Sequence, residues 1–347
     1  MRATFLSITI LLAACGGDLP PQSFIEKLRV LAVQADPPEV APEEETRLSV
    51  LAASPTVVQL SNGIPPAPVS TLWLACTIPP GASSTIPCGV NPERSLGAGG
   101  AIPPSCDEAP GADLCVLGLG PTARFTPAAS LLGGAASRQL LITAVVADTE
   151  GGAIGCLQDA FANDGRPTTP DHCVLALKRL TLSDPARRTA ARNENPRLAE
   201  FLLDEYGVPV SLADGQALFG AAPESNPRAY TLIARRAEDA AQQYPKLDDQ
   251  GQPGDLVYEA LTISYYTTSG KLAGLRGAFD PEGEGCLTAA DCPTKPPALE
   301  TTVEWTPPAP SALAKTTTPA DPAVRLYAVL RDDRGGVSWI AGRATPR

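Results

Sequence analysis

Leu140–Gly152 reads LLITAVVADTEGG, and Arg325–Gly336 reads RLYAVLRDDRGG. Both are apolar runs that end in Asp and a Gly-Gly pair, the form of a strand closing on a turn. Each follows an aromatic-Thr-Pro segment: Phe125-Thr126-Pro127 precedes the first run and Trp305-Thr306-Pro307 the second. The aromatic-to-Asp distance is 23 residues in one (Phe125 to Asp148) and 27 in the other (Trp305 to Asp332). The same chemistry in the same order marks two copies of one domain.

Strand periodicity extends outward from these runs. Leu48, Val50 and Ala52 alternate with Arg47, Ser49 and Leu51, and Leu261, Ile263 and Tyr265 alternate with Thr262, Ser264 and Tyr266. In the second run Leu326, Ala328 and Leu330 face one way while Arg325, Tyr327 and Arg331 face the other. A period of two predicts half-buried sheets. Strands are expected near 27–35, 46–53, 70–76, 122–126, 139–147 and 173–182 in the first copy. In the second they are expected near 197–204, 229–236, 257–268, 300–306, 324–331 and 336–343. Asn195-Pro196 with Leu198, Phe201, Leu202 and Gly207 also fits a capped helix, although the duplication favours a strand there. A short surface helix is expected over Arg235–Gln243.

Six or seven short strands per copy, with turns between them, describe an immunoglobulin-like sandwich. Leu28–Ala53 (LRVLAVQADPPEVAPEEETRLSVLAA) resembles the first two strands of bacterial Ig-like domains, in which a Pro-rich kink precedes the second strand. Neither copy has cysteines placed like the antibody inter-sheet bridge. The expected fold class is therefore all-β: two tandem immunoglobulin-like β-sandwich domains with disulfide-stapled loop insertions. The domains are expected at 25–183 and 196–347. The polar stretch 184–195 forms the linker between them.

The first residues carry an address. Met1-Arg2 and the apolar run Ala3–Leu12 make a signal-peptide core, at about 15 Å too short to span a ~30 Å hydrocarbon layer. Leu12-Ala13-Ala14-Cys15 resembles the bacterial lipobox, which implies cleavage after residue 14 and lipid attachment at Cys15. Multiple acyl chains give stable anchoring. Gly16 rather than Asp follows the cysteine, which in that family favours the outer membrane. Residues 15–24 would form a tether, with Gly16–Ser23 reaching at most about 28 Å.

Setting Cys15 aside leaves Cys76, Cys88, Cys106, Cys115, Cys156, Cys173, Cys286 and Cys292. An even number fits four disulfides in an oxidising compartment. Cys286–Cys292 and Cys156–Cys173 pair by isolation. Cys76–Cys88 with Cys106–Cys115 stands beside the nested alternative, Cys76–Cys115 with Cys88–Cys106. These cysteines stiffen long insertions at Thr77–Gly120, Thr149–His172 and Gly270–Leu299. The Cys156–Cys173 loop is expected either to form a recognition surface or to be a stapled structural loop.

The 347 residues hold 37 Pro and 30 Gly, well above average usage, which fits a loop-rich β protein. A net charge of −11 argues against a nucleic-acid partner. A single His excludes a multi-His metal site, and the cysteine spacings lack CxxC. No nucleophile elbow, HExxH or phosphate loop occurs. His172 would need a free Cys173 to act with it, and Asp248–Asp255 lacks the alternating ligands of a calcium loop. Trp73, Trp305 and Trp339 lie in strands and are expected in the core, although a surface Trp beside Tyr265 or Tyr266 could stack on a sugar. No cofactor or catalytic residue is expected. The sequence thus points to a lipid-anchored envelope protein that binds or spaces, with a protein or glycan partner. A carbohydrate-binding module and a hydrolase with an unfamiliar site are the alternatives.

Overall fold

A computed structural model describes residues 22–54, 69–78, 88, 103–149, 151–163, 165–188, 191–215, 217–220, 228–247, 253–279, 296–316 and 322–347. The chain begins with strands β1 (Arg29–Asp36), β2 (Glu39–Val40), β3 (Thr46–Ala53), β4 (Ser70–Thr77), β5 (Leu114–Leu119), β6 (Thr122–Phe125) and β7 (Ser137–Ala147). Helix α1 (Gly152–Ala162) and strand β8 (Cys173–Ser183) complete the first sandwich. One sheet has the order β1-β3-β6 and the other β2-β8-β7-β4-β5. The Pro-rich kink moves the chain between them. β1 lies antiparallel to β3, a cis Asp36–Pro37 bond follows, and β2 then pairs parallel to β8 on the opposite sheet.

The second sandwich holds β9 (Leu198–Glu205), β10 (Val208–Ser211), β11 (Ala217–Phe219), β12 (Tyr230–Arg236), β13 (Gln243–Leu247), β14 (Pro253–Tyr258) and β15 (Thr262–Thr267). It continues with β16 (Lys271–Leu272), β17 (Arg276–Ala278), β18 (Glu300–Thr306), α2 (Pro310–Thr316), β19 (Val324–Arg331) and β20 (Val337–Pro346). Its sheets run β10-β9-β12-β18-β16 and β11-β20-β19-β15-β17, beside a β13–β14 hairpin. All eight strands of the first sandwich recur here, and β10, β16 and the hairpin are additions. β9, β12 and β18 match β1, β3 and β6. β11, β20, β19, β15 and β17 match β2, β8, β7, β4 and β5, and β11 again pairs parallel to β20. The duplication is visible in the order and direction of the strands, and the architecture is all-β and Ig-like.

Each sandwich has its own core. The first gathers Trp73, Leu48, Ile142, Val146 and Leu180, and the second Trp305, Phe201, Phe219, Tyr265 and Leu326. Trp305 meets Phe219 edge-on at 5.2 Å, and its indole nitrogen donates to the Ser269 carbonyl at 3.2 Å. Gly270, beside it, has φ +83°, and a Cβ there would fall 2.5 Å from the Thr306 carbonyl oxygen and 2.7 Å from Trp305 Nε1. Only glycine fits that turn.

Several expectations change. Residues 198–205 form a strand, as the duplication favoured. Arg235–Gln243 is not helical: β12 continues to Arg236, and the chain then wraps around that buried guanidinium. It donates to the carbonyls of Ala237, Glu238 and Ala298 at 2.8–2.9 Å. The 77–120 insertion contributes strand β5, and the 149–172 insertion contains α1. β7 and β19 are not half-buried. Leu140, Ile142, Ala144 and Val146 fill the core while Leu141, Thr143, Val145 and Ala147 on the reverse face are buried too. In β19, Tyr327 and Val329 are buried opposite Leu326, Ala328 and Leu330.

Candidate functional site: the joint between the sandwiches

The reverse face of β19 is covered by the first sandwich. Tyr327, Val329 and Val337 form one apolar cluster with Ile25, Leu31, Ala32 and Ala53, and Tyr266 and Trp339 pack at its margin. The chain reaches this face twice. Residues 22–28 cross onto the second sandwich as a strap, with Thr267 N–H donating to the Ser23 carbonyl at 2.9 Å and Ile25 N–H to the Thr267 carbonyl at 3.0 Å. β1 follows, with Arg331 donating to the Leu31 carbonyl at 2.6 Å and Gln34 to the Val337 carbonyl at 2.7 Å.

Polar groups close the end of this contact, and they centre on the turn Asp332–Gly336. Asp332 Oδ1 accepts the amides of Arg334 (2.9 Å) and Gly336 (2.7 Å), which tightens the turn, and Gly335 supplies its left-handed residue at φ +96°. Asp333 accepts the Tyr244 hydroxyl at 2.6 Å. Arg334 then reaches in three directions: to Glu259 Oε1 at 3.1 Å, to the Ala191 carbonyl of the linker at 2.9 Å, and towards Glu39 of the first sandwich at 3.6 Å. Its guanidinium lies 5.1 Å from the Tyr244 ring centroid.

The first sandwich and the linker answer these groups. Glu39 accepts Ser183 Oγ at 2.6 Å, Arg188 Nε at 2.9 Å and the Asn193 amide at 2.9 Å. Asn195 donates to the Ala35 carbonyl at 2.8 Å and accepts the Val337 amide at 2.9 Å. Lys178 extends from β8 to donate to the Gly335 carbonyl. An open cleft of about 280 Å³ lies beside this contact, lined by Val33, Leu177, Lys178, Arg331, Asp332 and Val337. Burial, followed by the neighbouring Asp332 charge, pushes the Glu259 carboxyl up to about 7. Burial likewise raises Asp332 and lowers Lys178 to about 8. The arrangement can fix one sandwich against the other. Among the described residues it holds no nucleophile beside a base.

The sequence-predicted sites fall elsewhere. Cys15, Cys286 and Cys292 lie outside the described residues, as does most of the acidic run; of Asp248–Asp255 only 253–255 are described, in β14. Disulfides join Cys76 to Cys88, Cys106 to Cys115 and Cys156 to Cys173, with Cα separations of 5.7, 4.9 and 5.5 Å. The Cys156–Cys173 segment folds down as a cover. Ala153, Cys156 and Leu157 of α1 pack on Leu72, Leu141 and Val145, the reverse face of the first sandwich's larger sheet. His172 Nδ1 lies 2.8 Å from Asp148 Oδ1, and Asp148 Oδ2 accepts Ser54 Oγ at 3.2 Å. The hydroxyl thus meets the carboxylate rather than the imidazole, and Cys173 is bridged. Trp73 and Trp305 are fully buried, while Trp339 packs against the joint.

Sequence reasoning missed Glu39, Lys178, Glu259 and Arg334. Lys178 carried one signal: it shares the strand phase of Val174, Ala176, Leu180 and Leu182, which point into the first core. A lysine in that row has to find a polar partner, and here it is the Gly335 carbonyl of the second sandwich. The linker was legible as polar, but not that Asn193 within it would be only 3 % exposed.

No protein-family model matches the chain, and no curated protein matches its sequence significantly. Among solved structures it is similar to Escherichia coli alpha-2-macroglobulin activated by porcine elastase, at 11 % identity over 94 % of this chain and TM-score 0.21. It covers 22 % of that protein, about a fifth of its length. It is also similar to the D0-D1 domain of intimin (14 % identity, 91 % of this chain, 98 % of that one, TM-score 0.18). A third is the Yersinia pseudotuberculosis adhesin InvE (10 % identity, 92 % of this chain, 60 % of that one, TM-score 0.18). At TM-scores this low, the Ig-like assignment rests on strand order and register instead.

Proposed function

We propose that the chain is a lipid-anchored protein of a bacterial envelope, a non-enzymatic module that binds or spaces partners at the outer membrane through two sandwiches held as one body. The observation that carries this reading is the joint. Two Ig-like domains on a flexible linker would leave their relative angle free, whereas here apolar packing, a linker hydrogen-bonded to both sandwiches through Asn193 and Asn195, and the Arg334 turn all restrain it. A fixed angle serves a spacer or a composite binding face. The lipobox-like LAAC at residues 12–15 supports anchoring, and three disulfides fit an exported chain.

The strap adds a direction to the tether. Ser23 and Ile25 are bonded to Thr267 of the second sandwich, so an anchor at Cys15 would emerge beside β15 rather than from the free end of the first sandwich. The expected partner is a protein or glycan of the envelope. Cys15→Ser in the producing bacterium tests the anchoring: the protein should leave the membrane fraction for the soluble one. Continued membrane association after carbonate washing would count against it. Cross-linking in cells with the native chain then identifies the partner.

A further inference from the structure

The joint buries two neighbouring acids, Glu259 and Asp332. The Glu259 side chain is fully buried and meets one cation, Arg334, which also faces Glu39 at 3.6 Å. Asp332 is 9 % exposed, and its Oδ2 has no hydrogen-bond partner. That oxygen packs against Gly336, near Pro196 at the start of the second sandwich. We propose that this joint is a proton-linked clasp, in which uptake of one proton by the Glu259–Asp332 pair closes the two sandwiches more firmly and its release loosens them.

The groups that face this pair come from every element packed around it. The second sandwich contributes Arg334, Arg331, Asp333 and Tyr244, the first contributes Lys178 and Glu39, and the linker contributes Arg188 and Arg192. Arg188 and Arg192 are engaged by Glu39 and Glu44. Lys178 donates to the Gly335 carbonyl and turns its charge towards Asp332, while Asp333 is engaged by Tyr244 and the Ala260 amide. With both acids ionised, Glu259 beside Arg334 and Asp332 facing Lys178 are two buried negative charges that repel each other, and protonating one removes that repulsion together with the cost of burying its charge.

The direction follows from where each state holds its proton. Closed, Glu259 titrates near 7; open to water, it returns to about the ordinary 4.5. The closed state thus binds an extra proton between those values, so closure is favoured as pH falls from about 7 and is weakened as pH rises through 7. Lys178 acts in the opposite sense, its charge being lost near 8 in the closed state, so the clearest window lies between about pH 5 and 7.5.

Hydrogen exchange of the full chain tests the clasp, with the Asn193 and Val337 amides as probes because both close the joint. After correction for intrinsic exchange, the opening equilibrium at these amides should rise roughly twentyfold from pH 5.5 to 7.5. Amides in the centre of β7 serve as an internal reference for stability of the first sandwich. In Glu259→Gln the rise should disappear, with opening at pH 7.5 falling below wild type. A pH-independent opening in wild type, or an equal rise in Glu259→Gln, would overturn the proposal. Should Glu259→Gln fail to fold, Asp332→Asn reads the same proton, and an unreduced rise there has the same force.

Discussion

The two sandwiches solve one problem in two ways. In each, the sheet built from the last strands is apolar on both faces, so its reverse face needs a cover. The first sandwich supplies its own: the connection between β7 and β8 folds back as α1, seating Leu157 and Cys156 on Leu141 and Val145. In the second, the matching connection between β19 and β20 is the short turn Asp332–Gly336, and the cover comes from β1 and the strap. Where the insertion is long it shields its own domain; where it is short it leaves room for a neighbour. An internal duplication can thus diverge into a self-contained unit and a dependent one without changing strand order.

The same substitution on the two covers separates these roles. Leu157→Asp and Val329→Asp each place a carboxylate at a site no more than 2 % exposed, at a cost of about 3–5 kcal/mol. Leu157→Asp should destabilise the first sandwich. Val329→Asp should part the sandwiches and expose the face around Tyr327 and Trp339, read as increased binding of a hydrophobic dye and faster exchange at the Asn193 amide. If Val329→Asp unfolds only at the same denaturant concentration as wild type, with no new dye binding, β1 is not the cover described here.

Removing the first sandwich's staple comes next. The Cys156→Ser/Cys173→Ser double variant opens a closure with sequence separation 17 and should cost about 3 kcal/mol. The loss should appear in the denaturant midpoint of the first sandwich while the Asn193 and Val337 amides keep their protection. Loosening of the joint by the same amount would mean that the two covers are energetically one.

The turn offers a smaller, local break. A Cβ at Gly336 would collide with Asp332 Oδ2 and lie 2.8 Å from Pro196 Cδ. Gly336→Ala should therefore cost about 1–3 kcal/mol as an overpacking defect, seen as a lower melting temperature with faster exchange at Val337. The matching region of the first sandwich should keep its protection.

What could be read from the residues followed the inner face. Alternation located the paired strands, and the aromatic-Thr-Pro and Gly-Gly marks aligned β6 with β18 and β7 with β19. The reverse face was harder. Leu140–Ala147 is a nearly continuous apolar run, itself a sign of burial on both sides, but a run does not name its cover. α1 was partly legible, since Ala153, Leu157 and Ala160 recur at helical spacing; the flanking glycines disguised it as a loop. The charged end of the joint was least legible because its members are scattered across 296 positions, from Glu39 to Arg334. Each is a common surface residue type, and only the fold brings them together.

The smallest effect is expected where the two covers nearly touch. Lys27, in the strap, donates to Asp171 of the first sandwich's insertion at 2.6 Å, but both side chains are more than half exposed (56 % and 59 %). Water and salt screen such a pair, and ordering two mobile side chains offsets much of its attraction. Two residues earlier, Ile25 is 1 % exposed and packs with Leu31, Tyr327 and Val329. If burial rather than charge seats the strap, Lys27→Ala should leave the melting temperature unchanged in low and high salt, whereas Ile25→Ala should cost about 2–5 kcal/mol. A salt-sensitive loss in Lys27→Ala larger than that of Ile25→Ala would reverse the assignment, making the strap an electrostatic link between the covers instead of part of the apolar one.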